Sequence, residues 1–153
     1  MEQSVRSAVA SDAKDIHALL LNYSDQEVLL PRAISEIYSI IPQFFVVSHN
    51  NVVIGCGALE VFTAELGEVR SLAVNPQYKG HNLGAALLNE IEDYAKQLGL
   101  SKIMALTYVD KFFHKYGYKT VNMTELPEKV WGVCIKCPKF NHCDEIAVLK
   151  YLN

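Results

Sequence analysis

Residues 68–99 constrain this chain more than any other stretch. The run EVRSLAV, Glu68 to Val74, reads as a strand and gives way to the turn residues Asn75-Pro76 and the bare segment KGHNLG. Leu83, Leu87, Leu88, Ile91 and Ala95 then recur at the spacing of an amphipathic helix. Gly80, Asn82 and Gly84 alternate across the junction, so little side chain covers its backbone. The first N–H groups of a helix have no intrahelical acceptor and sit at the positive end of its dipole. Such a junction suits an anion, whether phosphate, pyrophosphate or carboxylate. The same residues would also build an ordinary strand-to-helix turn.

With 153 residues, 50% of them hydrophobic, the chain can bury one sizeable core, and residues 1–153 are expected to form a single domain. The formal net charge of −3 and the scattered basic residues argue against nucleic acid and against an anionic membrane surface as partners. The N-terminal MEQSVRSAVASDAKD lacks the basic and apolar regions of a secretory signal, and no apolar run reaches membrane-spanning length. A soluble, cytoplasmic protein is the expectation. Its four cysteines, Cys56, Cys134, Cys137 and Cys143, are too few for a chain of this size to read as a disulfide framework, and are expected to be thiols or ligands.

Strand and helix patterns alternate along the chain without a repeat or linker, which points to an α/β or α+β fold. Residues 4–9 alternate like a short strand, and Ser11 or Asp12 is placed to cap a helix carrying Ile16, Leu19 and Leu20. A second helix is predicted from Ala33 to Ile41, stopped by Pro42. FFVVSHNNVVIGCGALEVF reads as a hairpin turning at His49-Asn50-Asn51, residues that tolerate positive φ. After the strand at 68–74 and the long helix come a strand at Lys102 to Tyr108 and a short helix at Lys111 to Lys115. Gly117 terminates that helix, and a β-rich tail follows, with its cysteines beyond about residue 125.

EVRSLAV, Asn75-Pro76, KGHNLG with its helix, MALTY and FFHKYGY together resemble the GNAT family of acetyl-CoA-dependent N-acetyltransferases over roughly residues 3–121. The resemblance implies a single mixed, centrally splayed β-sheet flanked by helices. It also implies acetyl-CoA as cosubstrate, its pyrophosphate held by a loop of pattern Arg or Gln, two residues, Gly, one residue, Gly or Ala. Lys79, Asn82 and Gly84 occupy those three positions. Lys keeps the positive charge, and Asn is the non-glycine residue that best accepts a left-handed backbone. Leu72, Ala73, Val74, Gly80, His81, Leu83, Ala85 and Phe112 complete the coenzyme contacts that the family pattern implies. A closer resemblance, carried by LLPRAISEIYSIIPQFFVV, VIGCGALEVF, LGEVRSLAV, ALTY and ELPEK, is to the catalytic domain of N-acetylglutamate synthases, especially the short bacterial forms. It implies acetylation of the α-amino group of glutamate, at the start of arginine biosynthesis. The amino-acid-kinase-like domain of the longer forms has no counterpart here, so regulation by arginine through it is not expected.

Acetyl transfer to an amine needs a base for the amine proton, a polarised thioester carbonyl and, for the departing thiolate, an acid. Glu68, on the strand that leads to the loop, is the candidate base, the role that the resemblance also implies. Polarisation is expected from a backbone N–H within Leu72 to Val74. Many family members carry a Tyr where this chain has Phe113, so the candidate acids are Thr107 and Tyr108, with Tyr116 a weaker third that reads better as packing.

An acidic amino-acid acceptor calls for cations, preferably Arg with its planar fork. The three arginines are Arg6, Arg32 and Arg70. Arg70 stands two residues from Glu68, on the same face of one strand, and Arg32 stands at the entrance of the second helix; these are the candidate substrate-binding residues. Lys129 and Lys136 are further candidates. Other readings stay open: another acceptor such as glutamine, a polyamine or a protein N-terminus, or a coenzyme-A-binding module without turnover. A homodimer is an open assembly. Cys134 and Cys137 form a C-x-x-C followed by His142 and Cys143, the ingredients of a zinc site, but without the second matched pair zinc is not favoured over free thiols. Cys56 reads as a core residue.

Overall fold

A computed structural model describes residues 4–25, 33–122 and 146–152. In chain order the elements are β1 (Val5–Ser7), α1 (Ala13–Asp25), α2 (Ile34–Ser39), β2 (Phe44–His49), β3 (Val52–Val61), β4 (Leu66–Val74), α3 (Leu83–Gln97), β5 (Lys102–Thr107), α4 (Asp110–Lys115), β6 (Lys119–Val121) and β7 (Ile146–Tyr151). The strands are hydrogen-bonded in the order β1-β2-β3-β4-β5-β7-β6. Only the β4–β5 ladder is parallel among those whose register is resolved, so the sheet is mixed.

The chain packs as two compact units, one drawn from residues up to Glu60 and from Val69–Tyr94, the other from Val61–Glu68 and from Ala95 onward. In the first unit, β2 is apolar on both faces and buries Phe44 to Val47. It pairs antiparallel with β1 and β3, with an irregularity between Val47 and Ser48. The hairpin turns at Asn50 and Asn51, with φ of 52° and 65°, so both central residues take the left-handed conformation of a primed two-residue turn. Ile16, Leu19 and Leu20 of α1 meet Ile37, Ile41, Phe44, Val46, Cys56, Ala58 and Ala73 in one apolar cluster. In the second unit, Leu66, Met104 and Ala147 form a smaller cluster with Phe62, Leu106, Val121 and Leu149. There β5 pairs with β7 along its whole length, and β7 pairs with β6.

Two local expectations are corrected. Neither Ser11 nor Asp12 caps α1: a 3-10 turn over Ala10–Asp12 precedes the helix, and the Asp12 carboxylate instead accepts from the backbone N–H of Val9 (2.8 Å) and from Arg6. An arginine on the neighbouring strand outcompetes the helix end for the carboxylate, because its donors are charged. The second helix is shorter than predicted, ending at Ser39, and Pro42 lies inside a following 3-10 turn, Ile41–Gln43, where its missing N–H costs nothing.

Candidate active site

The junction ahead of α3 is built residue by residue. Asn75 accepts the Gln77 N–H on its own side chain (2.9 Å), closing a turn that the 3-10 segment Pro76–Tyr78 continues. The backbone N–H of Asn75 donates to the Ile54 carbonyl of β3 (2.7 Å), tying the end of β4 to its neighbour. Lys79 is extended, then Gly80 (φ 90°) and Asn82 (φ 59°) both take left-handed conformations before α3 begins at Leu83. Nothing stands within 4 Å of where a Gly80 side chain would begin. The bond that opens the helix runs from Ala86 N–H to the Asn82 carbonyl, which leaves the N–H groups of Leu83, Gly84 and Ala85 without an acceptor inside the helix. Leu83 turns its side chain into the core, as do Leu87, Leu88 and Ile91, so the apolar face of α3 fixes which way those amides point. Lys79, Gly80, His81 and Asn82 are exposed, while Gly84 and Ala85 are half-buried. Helix-opening amides left in this way suit an anion.

Preceding this junction, β4 contains an irregularity that sequence reading missed. Ser71 has φ 56°, a left-handed residue with a side chain in the middle of a strand. Its carbonyl accepts from the thiol of Cys56 on β3, Sγ to O 3.4 Å. Of the three residues from which carbonyl polarisation is expected, Ala73 is buried, and Leu72 and Val74 are half-buried. The missed signal is the Gly55-Cys56-Gly57 run, because glycine inside a strand marks close backbone approach.

Glu68 belongs to the second unit. It is the last β4 residue of the parallel ladder, opposite Met104, and both strands continue beyond that pair. Its exposure is only 5%, an uncommon position for a carboxylate. Three residues after Met104, Thr107 ends β5, buried, with its hydroxyl oxygen accepting from the Val109 N–H (2.9 Å). Tyr108 follows, half-buried. Phe112 on α4 packs edge-on against Phe113 and Tyr116, each at 5.2 Å between centroids. Phe113 is buried against Tyr118.

Arg70 is already engaged. Its Nη1 donates to Glu60 Oε2 at 2.8 Å, both side chains being about three-quarters covered. A carboxylate acceptor at Arg70 would therefore share the guanidinium with Glu60, a partner that sequence spacing could not supply. Arg32, Lys129, Lys136, Cys134, Cys137, His142 and Cys143 lie outside the described residues. Among the described residues no group of three or more His, Cys, Asp or Glu side chains could hold a metal ion, and no helix is long and apolar enough to cross a membrane.

Residues 15–118 match the model of the acetyltransferase (GNAT) family. An uncharacterised N-acetyltransferase of Chlorobaculum tepidum is 35% identical over 148 residues, covering 97% of this chain and 96% of that protein. An amino-acid acetyltransferase of Mycobacterium tuberculosis is 32% identical over 130 residues, covering 83% of this chain and 74% of the relative. Among solved structures, N-acetylglutamate synthase from Neisseria gonorrhoeae, complexed with coenzyme A and N-acetyl-glutamate, superposes with a TM-score of 0.92 at 30% identity; the match covers 100% of this chain and 36% of that one. A Mycobacterium tuberculosis structure in complex with CoA and NLQ gives a TM-score of 0.86 at 28% identity, covering 98% of this chain and 99% of that one.

Proposed function

The chain belongs to the GNAT acetyltransferase family, and from that premise we propose that it transfers the acetyl group of acetyl-CoA to the α-amino group of a small amino acid, L-glutamate foremost. The observation that carries the coenzyme half of this reading is the junction from Gly80 to Ala85, two left-handed residues followed by three helix-opening amides without intrahelical acceptors. The amino-acid half draws on the likeness to a Mycobacterium tuberculosis amino-acid acetyltransferase and to a synthase structure holding N-acetyl-glutamate.

In this reading Lys79 and the amides of Leu83 to Ala85 take the pyrophosphate, with Gly80 and Asn82 allowing the backbone to approach it. Glu68 accepts a proton from the ammonium of the acceptor, leaving a neutral amine. The amine nitrogen attacks the thioester carbon, and a backbone N–H after Ser71 stabilises the oxyanion that forms. Collapse breaks the carbon–sulfur bond, and the second proton, still on the attacking nitrogen, passes to the departing thiolate directly or through Thr107, Tyr108 or water, leaving the amide and free coenzyme A. Arg70 binds a carboxylate of the acceptor beside Glu60.

Thiol release from acetyl-CoA, measured with a panel of amino acids and polyamines, tests the proposal. Turnover with glutamate well above that with the neutral amino acids and the polyamines is expected. Release only with polyamines would overturn the acceptor class, and tight coenzyme A binding without turnover would make the chain a binding module.

A further inference from the structure

We propose that Cys56 is a positioning residue, whose thiol aims the Leu72 N–H at the thioester carbonyl. The inference rests on the acetyl-transfer reading above. Ser71 sits at φ 56° without the glycine, asparagine or aspartate that usually occupies such a conformation, so its surroundings must hold it there. One contact from β3 acts on Ser71 directly, and the glycines on either side of it shape the neighbouring packing. The Cys56 thiol, fully buried, donates to the Ser71 carbonyl at 3.4 Å. A Cβ on Gly57 would come within 3.0 Å of Leu72 Cδ1 and 2.9 Å of Ile91 Cδ1, so the absence of a side chain lets Leu72 seat between β3 and α3. A Cβ on Gly55 would come within 3.1 Å of Leu87 Cδ1, so this glycine lets α3 pack closely on β3, while its 3.6 Å from the Ala73 carbonyl is ordinary contact. Cys56 and Gly57 thus accommodate Ser71 and Leu72, one with its thiol and the other by lacking a side chain.

The consequence for the site follows from the planarity of one peptide. The Ser71 carbonyl and the Leu72 N–H belong to the same trans unit and point in opposite directions. A thiol on β3 that holds the carbonyl therefore turns the Leu72 N–H to the side of β4 away from β3. Donor alignment matters most as negative charge develops on the carbonyl oxygen, so loss of this contact is felt in turnover rather than in coenzyme binding.

The test compares Cys56→Ala, which removes the donor, with Cys56→Ser, which restores one. Cys56→Ala is expected to lower kcat about tenfold while the acetyl-CoA KM stays within about twofold, and Cys56→Ser to recover most of the loss. A merely structural role would predict Ser, a polar group in an apolar pocket, to be at least as damaging as Ala. Should Cys56→Ala fail to fold, Cys56→Val removes the donor at similar volume. A second readout needs no acceptor: isotope-edited infrared spectra of bound, carbonyl-labelled acetyl-CoA should show the carbonyl band at lower frequency with wild type and Cys56→Ser, and near its solution position with Cys56→Ala. Full retention of the shift and of kcat by Cys56→Ala would overturn the proposal. A shift present in wild type and lost in Cys56→Ala, in a protein that acetylates no amino acid, would overturn the acceptor reading and support the positioning role.

Discussion

A carboxylate with 5% of its surface left to solvent, as at Glu68, has given up most of its hydration and is kept where a function or a partner compensates. Glu68→Gln preserves shape and removes the basic oxygen. It is expected to lower kcat about a hundredfold with little change in acetyl-CoA KM, since the base acts only in the chemical step. Steady-state thiol release checks this, and an unchanged rate would remove Glu68 from the reaction. Arg70 poses a different question, because Glu60 already holds one of its donors. If the rest of the fork binds a substrate carboxylate, acceptor KM should rise in the order wild type, Arg70→Lys, Arg70→Ala, with a loss on the order of 2 kcal/mol for Ala, roughly thirtyfold in kcat/KM. Equal kinetics in both variants would make Arg70 a structural partner of Glu60. The candidate base and this arginine were readable from a strand with polar residues two apart. Glu60 was not, since cross-strand partners depend on register.

At the scale of elements, the coenzyme-binding role proposed for the junction before α3 rests on backbone conformation. Gly80 has open space around it, so a side chain there meets no neighbour and is penalised only through φ. Asn82 is left-handed as well, and a β-branched replacement would pay roughly 1–2 kcal/mol to stay so. Asn82→Val is therefore expected to raise the acetyl-CoA Kd about tenfold, whereas Asn82→Gly should leave it within about twofold. Calorimetric titration with coenzyme A separates the two, and native affinity in Asn82→Val would mean that the pyrophosphate binds elsewhere. The hairpin turn at Asn50-Asn51 and the stripe of Leu83, Leu87, Leu88 and Ile91 were legible for the same reason: residue type and period act over a few neighbours. The start of α1 was misread because Asp12 is claimed by Arg6, six residues away and on a strand.

For the whole molecule, that pair links stability to pH. Through its hydrogen bonds Arg6 holds the Asp12 carboxyl below its ordinary value of 3.8; burial works against the shift, and the Val9 amide and the arginine's charge add to it. A carboxyl depressed in the folded state stabilises the fold above its unfolded pKa, and that contribution is lost as pH falls through the lowered folded value. Arg6 also donates to Ser48 on β2 (3.1 Å), so the pair ties β1, β2 and the turn before α1 together. Arg6 is nearly half exposed, which limits the effect, and Asp12→Ala is expected to cost about 1 kcal/mol near neutral pH. In urea unfolding the gap between wild type and variant should close as pH drops below 3.8 toward strongly acid conditions. A gap of the same size there would mean that packing, and not the ion pair, carries the cost.

Sequence alone determined the elements and their order, the left-handed turn of the hairpin, the helix-opening junction and the family, because period, turn chemistry and a short motif are local properties. The tertiary structure decided the left-handed Ser71, its thiol partner Cys56, the pairing of Arg70 with Glu60, and the burial of Glu68 at the last pair of the β4–β5 ladder. Each of these depends on which strand lies beside which and in what register, a choice made by burying the apolar faces of distant segments together and not by any one residue's own preference.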